Sequence, residues 1–228
     1  MTQGIFITGT DTGVGKTMVA CALLRKCVAS GLRAVGMKPV AAGGGEDNDD
    51  LVALAAAGNV DAPLSARCPY AFKDGIAPHL AARAVGVVID LRHIQKSYEE
   101  LGALADRVVV EGAGGAVAPL GERSDMLDIA RALGLPVLMV VGMRLGCLNH
   151  ALLTSLAIRA RGLKLVGWIA NSIDPTMACQ DENVSALEQL LSAPRIGSIS
   201  WGCADAPEWT TIDAIEASPN FSRPDDPC

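Results

Sequence analysis

Near its beginning the chain reads Ile5-Phe6-Ile7-Thr8-Gly9-Thr10-Asp11-Thr12-Gly13-Val14-Gly15-Lys16-Thr17. A β-branched apolar run ends in a Gly/Thr-rich turn, and Lys-Thr then opens an amphipathic stretch. That order of strand, glycine loop and helix cradles a triphosphate. Backbone N–H groups of the loop and of the helix N-terminus point at the anion, and the helix dipole favours negative charge there. The lysine supplies a point charge to the β- and γ-phosphates, and the threonine hydroxyl reaches Mg²⁺. Counted from Gly9, the loop is one residue longer than the common pattern.

Bulk properties narrow the classes. The 228 residues suit a single domain, expected over 1–212 with a polar, Pro-rich and poorly ordered tail over 213–228. Half the residues are apolar but only 4% are aromatic, so Ala, Val, Leu and Ile must build the core. A formal charge of −6, without a Lys/Arg-dense run, argues against nucleic acid. The cysteines at 21, 27, 68, 147, 179, 203 and 228 form no C-x-x-C pair, which fits reduced thiols in the cytoplasm. The N-terminus lacks the pattern of a signal peptide, and no apolar run approaches the ~20 residues of a membrane helix.

Apolar and polar stretches alternate in a strand–helix rhythm. Val19/Ala20, Leu23/Leu24 and Cys27/Val28 give one buried helical stripe, closed near Gly31. Residues 33–40 read as a second strand and 41–49 as a mobile surface loop. A short helix follows over 50–57, then a connecting stretch over 60–78. Helices are expected over 77–85, 90–104, 124–133, 148–161 and 177–191. Strands are expected over 107–111, 136–141, 166–170 and, last, 195–199. Continuous apolar strands separated by helices predict a mostly parallel sheet with helices on both faces. Ligands then bind beyond the carboxyl ends of the strands, where Lys16, Lys38, Glu111, residues 142–149, Asn171 and Trp201 fall.

Mg²⁺ prefers oxygen ligands, usually one or two carboxylates with phosphate oxygens and water. Glu111 ends the Val108-Val109-Val110 strand, and Asp50 comes from the acidic stretch after the second strand; with Thr17 they form a candidate metal set. Asp50 is also compatible with a solvated acidic run or a helix cap. Lys38, next to a phosphate loop, would neutralise charge on a transferring phosphoryl group. Gly112-Ala113-Gly114-Gly115 suits a close backbone approach to a ligand or a tight bend. Gly146-Cys147-Leu148-Asn149 places small residues at a helix start, where a carboxylate is welcome.

Together these segments resemble the dethiobiotin synthetases. The resemblance rests on residues 9–17, Lys38-Pro39-Val40, Glu111-Gly112-Ala113-Gly114-Gly115, Leu145-Gly146-Cys147-Leu148-Asn149-His150 and Gly167-Trp168-Ile169-Ala170-Asn171, and it spans positions 5 to about 208. It implies a P-loop NTPase-like α/β fold and an ATP- and Mg²⁺-dependent ligase of biotin synthesis, usually a homodimer. That enzyme closes a ureido ring on 7,8-diaminononanoate with CO2, through a carbamate and a carbamic–phosphoric anhydride. Carried over by position, Gly13, Val14, Gly15, Lys16, Thr17 and Met18 would hold the phosphates, and Thr17, Asp50 and Glu111 the metal. Lys16 and Lys38 would face the reacting groups, with Lys38 catalytic. Thr12 and Ala42 would lie near the diamine, and Glu111, Gly112, Ala113 and Gly114 near nucleotide and substrate. Gly146, Cys147 and Asn149 would receive the substrate carboxylate from the partner subunit. Asn171, Ser172, Ser200, Trp201 and Gly202 would form the adenine side.

Two departures stand out. Ala42 replaces a serine common in the family, and Ser200-Trp201-Gly202 replaces Pro-Trp-Leu. The competing class is a switch ATPase of partitioning or cell-division type. Those carry a signature lysine five positions before the loop lysine, where this chain has Asp11. A cobyrinate-type amido-ligase would need a glutaminase domain that this length does not hold.

Overall fold

A computed structural model of the chain describes residues 3–203 and 207–209. The expected tail from residue 213 lies outside them. Strand β1 (Gln3–Gly9) leads through the glycine loop into helix α1 (Lys16–Ala29), followed by β2 (Ala34–Met37), β3 (Val40–Ala42) and α2 (Asp49–Ala57). Short elements α3 (Leu64–Arg67), β4 (Tyr70–Phe72) and α4 (Pro78–Ala84) precede α5 (Leu91–Leu104) and β5 (Arg107–Glu111). The rest alternates: α6 (Met126–Leu133), β6 (Val137–Met143), α7 (Cys147–Ala160), β7 (Leu165–Ser172), α8 (Gln180–Leu190), β8 (Arg195–Ile199) and β9 (Glu208–Trp209).

The main sheet has seven strands in the order β2-β5-β1-β6-β7-β8-β9. All its pairings are parallel except β8 with β9. The mostly parallel sheet expected from the sequence is therefore present, with β9 as an unforeseen antiparallel edge. Strand alternation sends side chains to opposite faces. Phe6, Val35, Met37, Val108 and Val110 belong to the apolar cluster that includes residues of α5 and α6. Ile5, Ile7, Val109, Leu138 and Val140 pack with Val19, Leu23 and Leu24 of α1 and Leu54 of α2. Met139, Val141, Trp168 and Ala170 close a third cluster with residues of α7 and α8. Helices thus cover both faces.

Two expectations between residues 33 and 49 need correction. The second strand stops at Met37, because Pro39 has no N–H for a ladder. Lys38 N–H turns instead to the Arg67 carbonyl at 2.8 Å. Residues 40–42 then leave the main sheet and pair in parallel with β4 in a separate two-stranded sheet. The loop expected over 41–49 is accordingly built into the fold. Ala41 is fully buried. Asn48 donates to the Gly43 carbonyl at 2.7 Å and caps α2 by accepting from the N–H groups of Asp50 and Leu51. Further along, α8 starts at Gln180, later than the expected 177, because Cys179 sits in the left-handed region as its N-cap.

Gly167 shows how closely β7 and β8 lie. A Cβ there would meet Ile196 Cδ1 at 2.6 Å and the Pro194 carbonyl at 3.2 Å, and Ile196 is fully buried. Gly167→Ala is expected to destabilise the protein by about 1–3 kcal/mol through overpacking. Urea unfolding measures the loss.

Candidate functional site

Strand register assembles the site. Ile7 pairs with Glu111 and Met37 with Val110, so the carboxyl ends of β1, β5 and β2 finish side by side. The glycine loop, Glu111 and Lys38 each follow directly from one of these ends. Gly13 and Gly15 have φ of 73° and 90°, left-handed values that glycine adopts without strain. Lys16 and Thr17 then open α1 at the edge of a cavity.

That cavity, about 720 Å³, is lined by Thr12, Gly13, Gly15, Lys16, Thr17, Lys38, Ala42, Asp50, Glu111, Ala113 and Gly114. The structure therefore brings together residues that the sequence places in five separate segments. Thr17 Oγ1 lies 2.7 Å from Asp50 Oδ1 and 2.9 Å from Glu111 Oε1, so its one hydrogen can go to either carboxylate. Lys38 Nζ donates to Asp50 Oδ2 and Glu111 Oε1, each at 2.7 Å. Lys16 Nζ donates to the Asp11 carbonyl at 3.0 Å.

Glu111 is only 1% exposed, and burial raises its pKa although the Lys38 ammonium lies against it. Burial also opposes the charge on Lys38, but Glu111 and Asp50 outweigh it and raise its pKa, so the lysine stays protonated. For Asp50 burial again acts upward, and Lys38 and the Thr17 hydroxyl reverse it to hold the carboxyl below its usual range. Burial lowers the Lys16 pKa, an effect that the nearby carboxylates oppose and Lys38 reinforces. Glu111 Oε2 is buried without a hydrogen-bond partner among the described residues. An all-oxygen set of one hydroxyl and two carboxylates with one oxygen unspent fits a hard divalent cation such as Mg²⁺.

Other expected residues fall differently. Gly112 does not line the cavity; a Cβ there would meet Phe6 Cζ at 2.9 Å, so the glycine serves packing at the strand end. Val14 is buried and Met18 packs against the α1-side cluster, so these two can contribute backbone groups to a phosphate site. Asn171 donates from Nδ2 to the Val14 carbonyl at 2.8 Å, which ties β7 to the glycine loop and spends one amide hydrogen expected for adenine. Ser172 donates to Gln180 Oε1 at 2.9 Å. Ser200, Trp201 and Gly202 are exposed beyond β8. Gly146, Cys147 and Asn149 lie outside this cavity; Cys147 is buried in the third cluster, whereas Gly146 and Asn149 are exposed.

The sequence reading missed a wall of the cavity formed by Gly75, Ile76, Ala77, Pro78 and Ala118, beside Gly115 of the expected glycine turn. Pro78 at the first turn of α4 was the available signal, since it fixes where that helix begins. Asp11, the position that distinguishes switch ATPases, accepts from Arg144 Nη2 at 2.6 Å.

Gly15 is the tightest point of the loop, because a Cβ there would run into the Asn171 amide at a φ of 90°. Gly15→Ala should weaken nucleotide binding about tenfold or more, the effect of roughly 1.4 kcal/mol. Titration calorimetry with ADP reads it directly.

Comparison with known proteins agrees with this geometry. A sequence family described as "AAA domain" matches residues 3–203. The ATP-dependent dethiobiotin synthetase BioD of Aromatoleum aromaticum is 53% identical over 199 residues, covering 85% of this chain and 88% of that protein. Its namesake in Nitrosospira multiformis is 52% identical, covering 88% and 89%. Among solved structures, chloroplast FtsY of Physcomitrella patens aligns with a TM-score of 0.56 at 15% identity, over 94% of this chain and 64% of that one. The septum site-determining protein MinD of Pyrococcus horikoshii, complexed with Mg-ADP, aligns at 0.54 and 15% identity, over 87% and 81%. At such identity these two share the fold alone. With half its aligned residues unchanged over most of its length, the chain belongs to the family of ATP-dependent dethiobiotin synthetases.

Proposed function

We propose that this dethiobiotin synthetase runs its ligase reaction in the cavity between the glycine loop, Lys38 and the wall at residues 75–78. The observation that carries the reading is the meeting of Lys16, Lys38, Thr17, Asp50 and Glu111 at one cavity. A switch ATPase of partitioning type would carry its second lysine at position 11, which is here an aspartate paired with Arg144, whereas this chain brings its second lysine from the end of β2. Phosphates seat on the backbone of residues 13–18, with Ala113 and Gly114 opposite. One amine of 7,8-diaminononanoate takes up CO2 as a carbamate near Thr12 and Ala42. A carbamate oxygen attacks the γ-phosphorus, and ADP leaves. The second amine then attacks the carbonyl carbon of the mixed anhydride, closing the ring and expelling phosphate.

Lys16 and Lys38 act electrostatically, by holding positive charge where the transferring phosphoryl develops negative charge. Thr17, Asp50 and Glu111 would hold Mg²⁺, supported by the orphaned Glu111 oxygen and by the all-oxygen donor set. Bound there, the ion would neutralise phosphate charge. Asn171, Ser172 and residues 200–202 bound the adenine side. Ala42 offers the carbamate no hydroxyl, so the lysines carry more of its recognition.

The working unit is a homodimer in the same proposal. Leu145 is 94% exposed, and Leu153 and Leu156, three apart on α7, are also exposed. This apolar flank adjoins Gly146 and Asn149, which is where a partner's substrate carboxylate would be received. No helix among the described residues is long and apolar enough to cross a membrane, and the proposed setting is the cytoplasm, with residues 1–212 acting as one unit.

ADP release should require diaminononanoate, bicarbonate and Mg²⁺ jointly; ATP turnover indifferent to the diamine would sink the proposal. Lys38→Ala should reduce turnover far more than ATP affinity, because its contact strengthens in the transition state. A parallel fall in both, measured by steady-state kinetics and calorimetry, would contradict that role.

A further inference from the structure

Lys38 rests on the two carboxylates that a divalent cation would use. Its ammonium lies 2.7 Å from both Asp50 Oδ2 and Glu111 Oε1, and Thr17 Oγ1 is within hydrogen-bond distance of the same two carboxylates. The same two carboxylates are the ones the proposed function gives to the metal, and the unpartnered oxygen of Glu111 is its other one, Oε2. Two cations on the same pair of buried carboxylates repel each other, since little water screens them. That repulsion favours departure of the one on a flexible stem.

The chain around Lys38 fixes which part can move. Its N–H is held by the Arg67 carbonyl at 2.8 Å, Pro39 restricts the next residue, and the Pro39 carbonyl accepts from Tyr70 N–H at 3.2 Å. The backbone is therefore pinned on both sides. The four-carbon stem is not, and it ends at a cavity of about 720 Å³ that Lys38 itself lines together with Lys16 and Thr12.

The geometry points to a cation exchange: a metal ion arriving at Thr17, Asp50 and Glu111 displaces the Lys38 ammonium from the two carboxylates and releases it into the cavity. The exchange rests on the assignment of those three residues to the metal. Before it, Lys38 is the counter-ion that makes a 1%-exposed glutamate tolerable. After it, the same ammonium is available to the phosphoryl group and the carbamate. The exchange orders the reaction, because the second lysine becomes available only once the metal is in place. A diamine carbamate entering a metal-free site meets a lysine already engaged.

Competitive acetylation of the wild-type protein, with the exposed Lys96 as internal standard, tests this without any substitution at Lys38. Lys38 should be protected without metal. Saturating Mg²⁺ in the absence of nucleotide should raise its labelling relative to Lys96 about tenfold, the size of a modest population shift. Sodium chloride of equal ionic strength should leave it protected. In parallel, Mn²⁺ binding followed by electron paramagnetic resonance should be lost in Glu111→Gln and weakened in Asp50→Asn. Unchanged Mn²⁺ binding in both variants would overturn the metal assignment itself. Metal binding that depends on those carboxylates while Lys38 stays protected would overturn the exchange and leave the assignment standing. Equal labelling with sodium chloride, or Lys38 reacting like Lys96 from the start, would also overturn it.

Discussion

A buried glutamate at the end of β5 imposes the main constraint on this site. Glu111 is removed from water, and a carboxylate in that position persists only with positive charge and donors around it. Lys38 and Thr17 supply them. Both partners arrive through parallel register: β1 and β2 flank β5, with Ile7 paired to Glu111 and Met37 to Val110. Breaking such a buried pair by deleting one member typically costs about 3–5 kcal/mol. The site's charges are thus part of what holds the strand ends in place, and stability and chemistry share the same atoms.

The parallel architecture was readable because its signals are long and periodic. Helix α5 shows the 3.6-residue stripe, α1 is an apolar run buried on more sides than the single stripe expected, and β5 and β6 are unbroken apolar runs bounded by glycine, proline or charge. The two-stranded sheet of β3 and β4 was not readable. Each strand has three residues, and Val40-Ala41-Ala42 beside three glycines has the composition of a loop. What makes it a strand is its partner some thirty positions on, a tertiary fact that local propensity does not carry.

The candidate site was legible to a similar depth. The loop, Lys38, Asp50 and Glu111 could be named because charge and glycine at predicted strand ends are informative. Their mutual contacts could not, since a distance between β2 and β5 depends on strand order. Gly112 looked like a ligand-facing glycine because it adjoins Ala113 and Gly114; only the position of Phe6 assigns it to packing. Asn171 looked like a base reader, while half its amide donors turn out to serve the loop.

That last contact bears on how the protein meets its nucleotide. The loop's Val14 carbonyl is anchored from β7, and only glycine fits at position 15 because the Asn171 amide lies where a Cβ would be. Its shape is therefore set by the sheet, and the conformational entropy of ordering it is lost at folding instead of at binding. The asparagine and the glycine also constrain each other: a larger residue at either position requires a change at the other. Two sites far apart in sequence behave as one unit of heredity, and a comparison of related chains should find them substituted together or not at all.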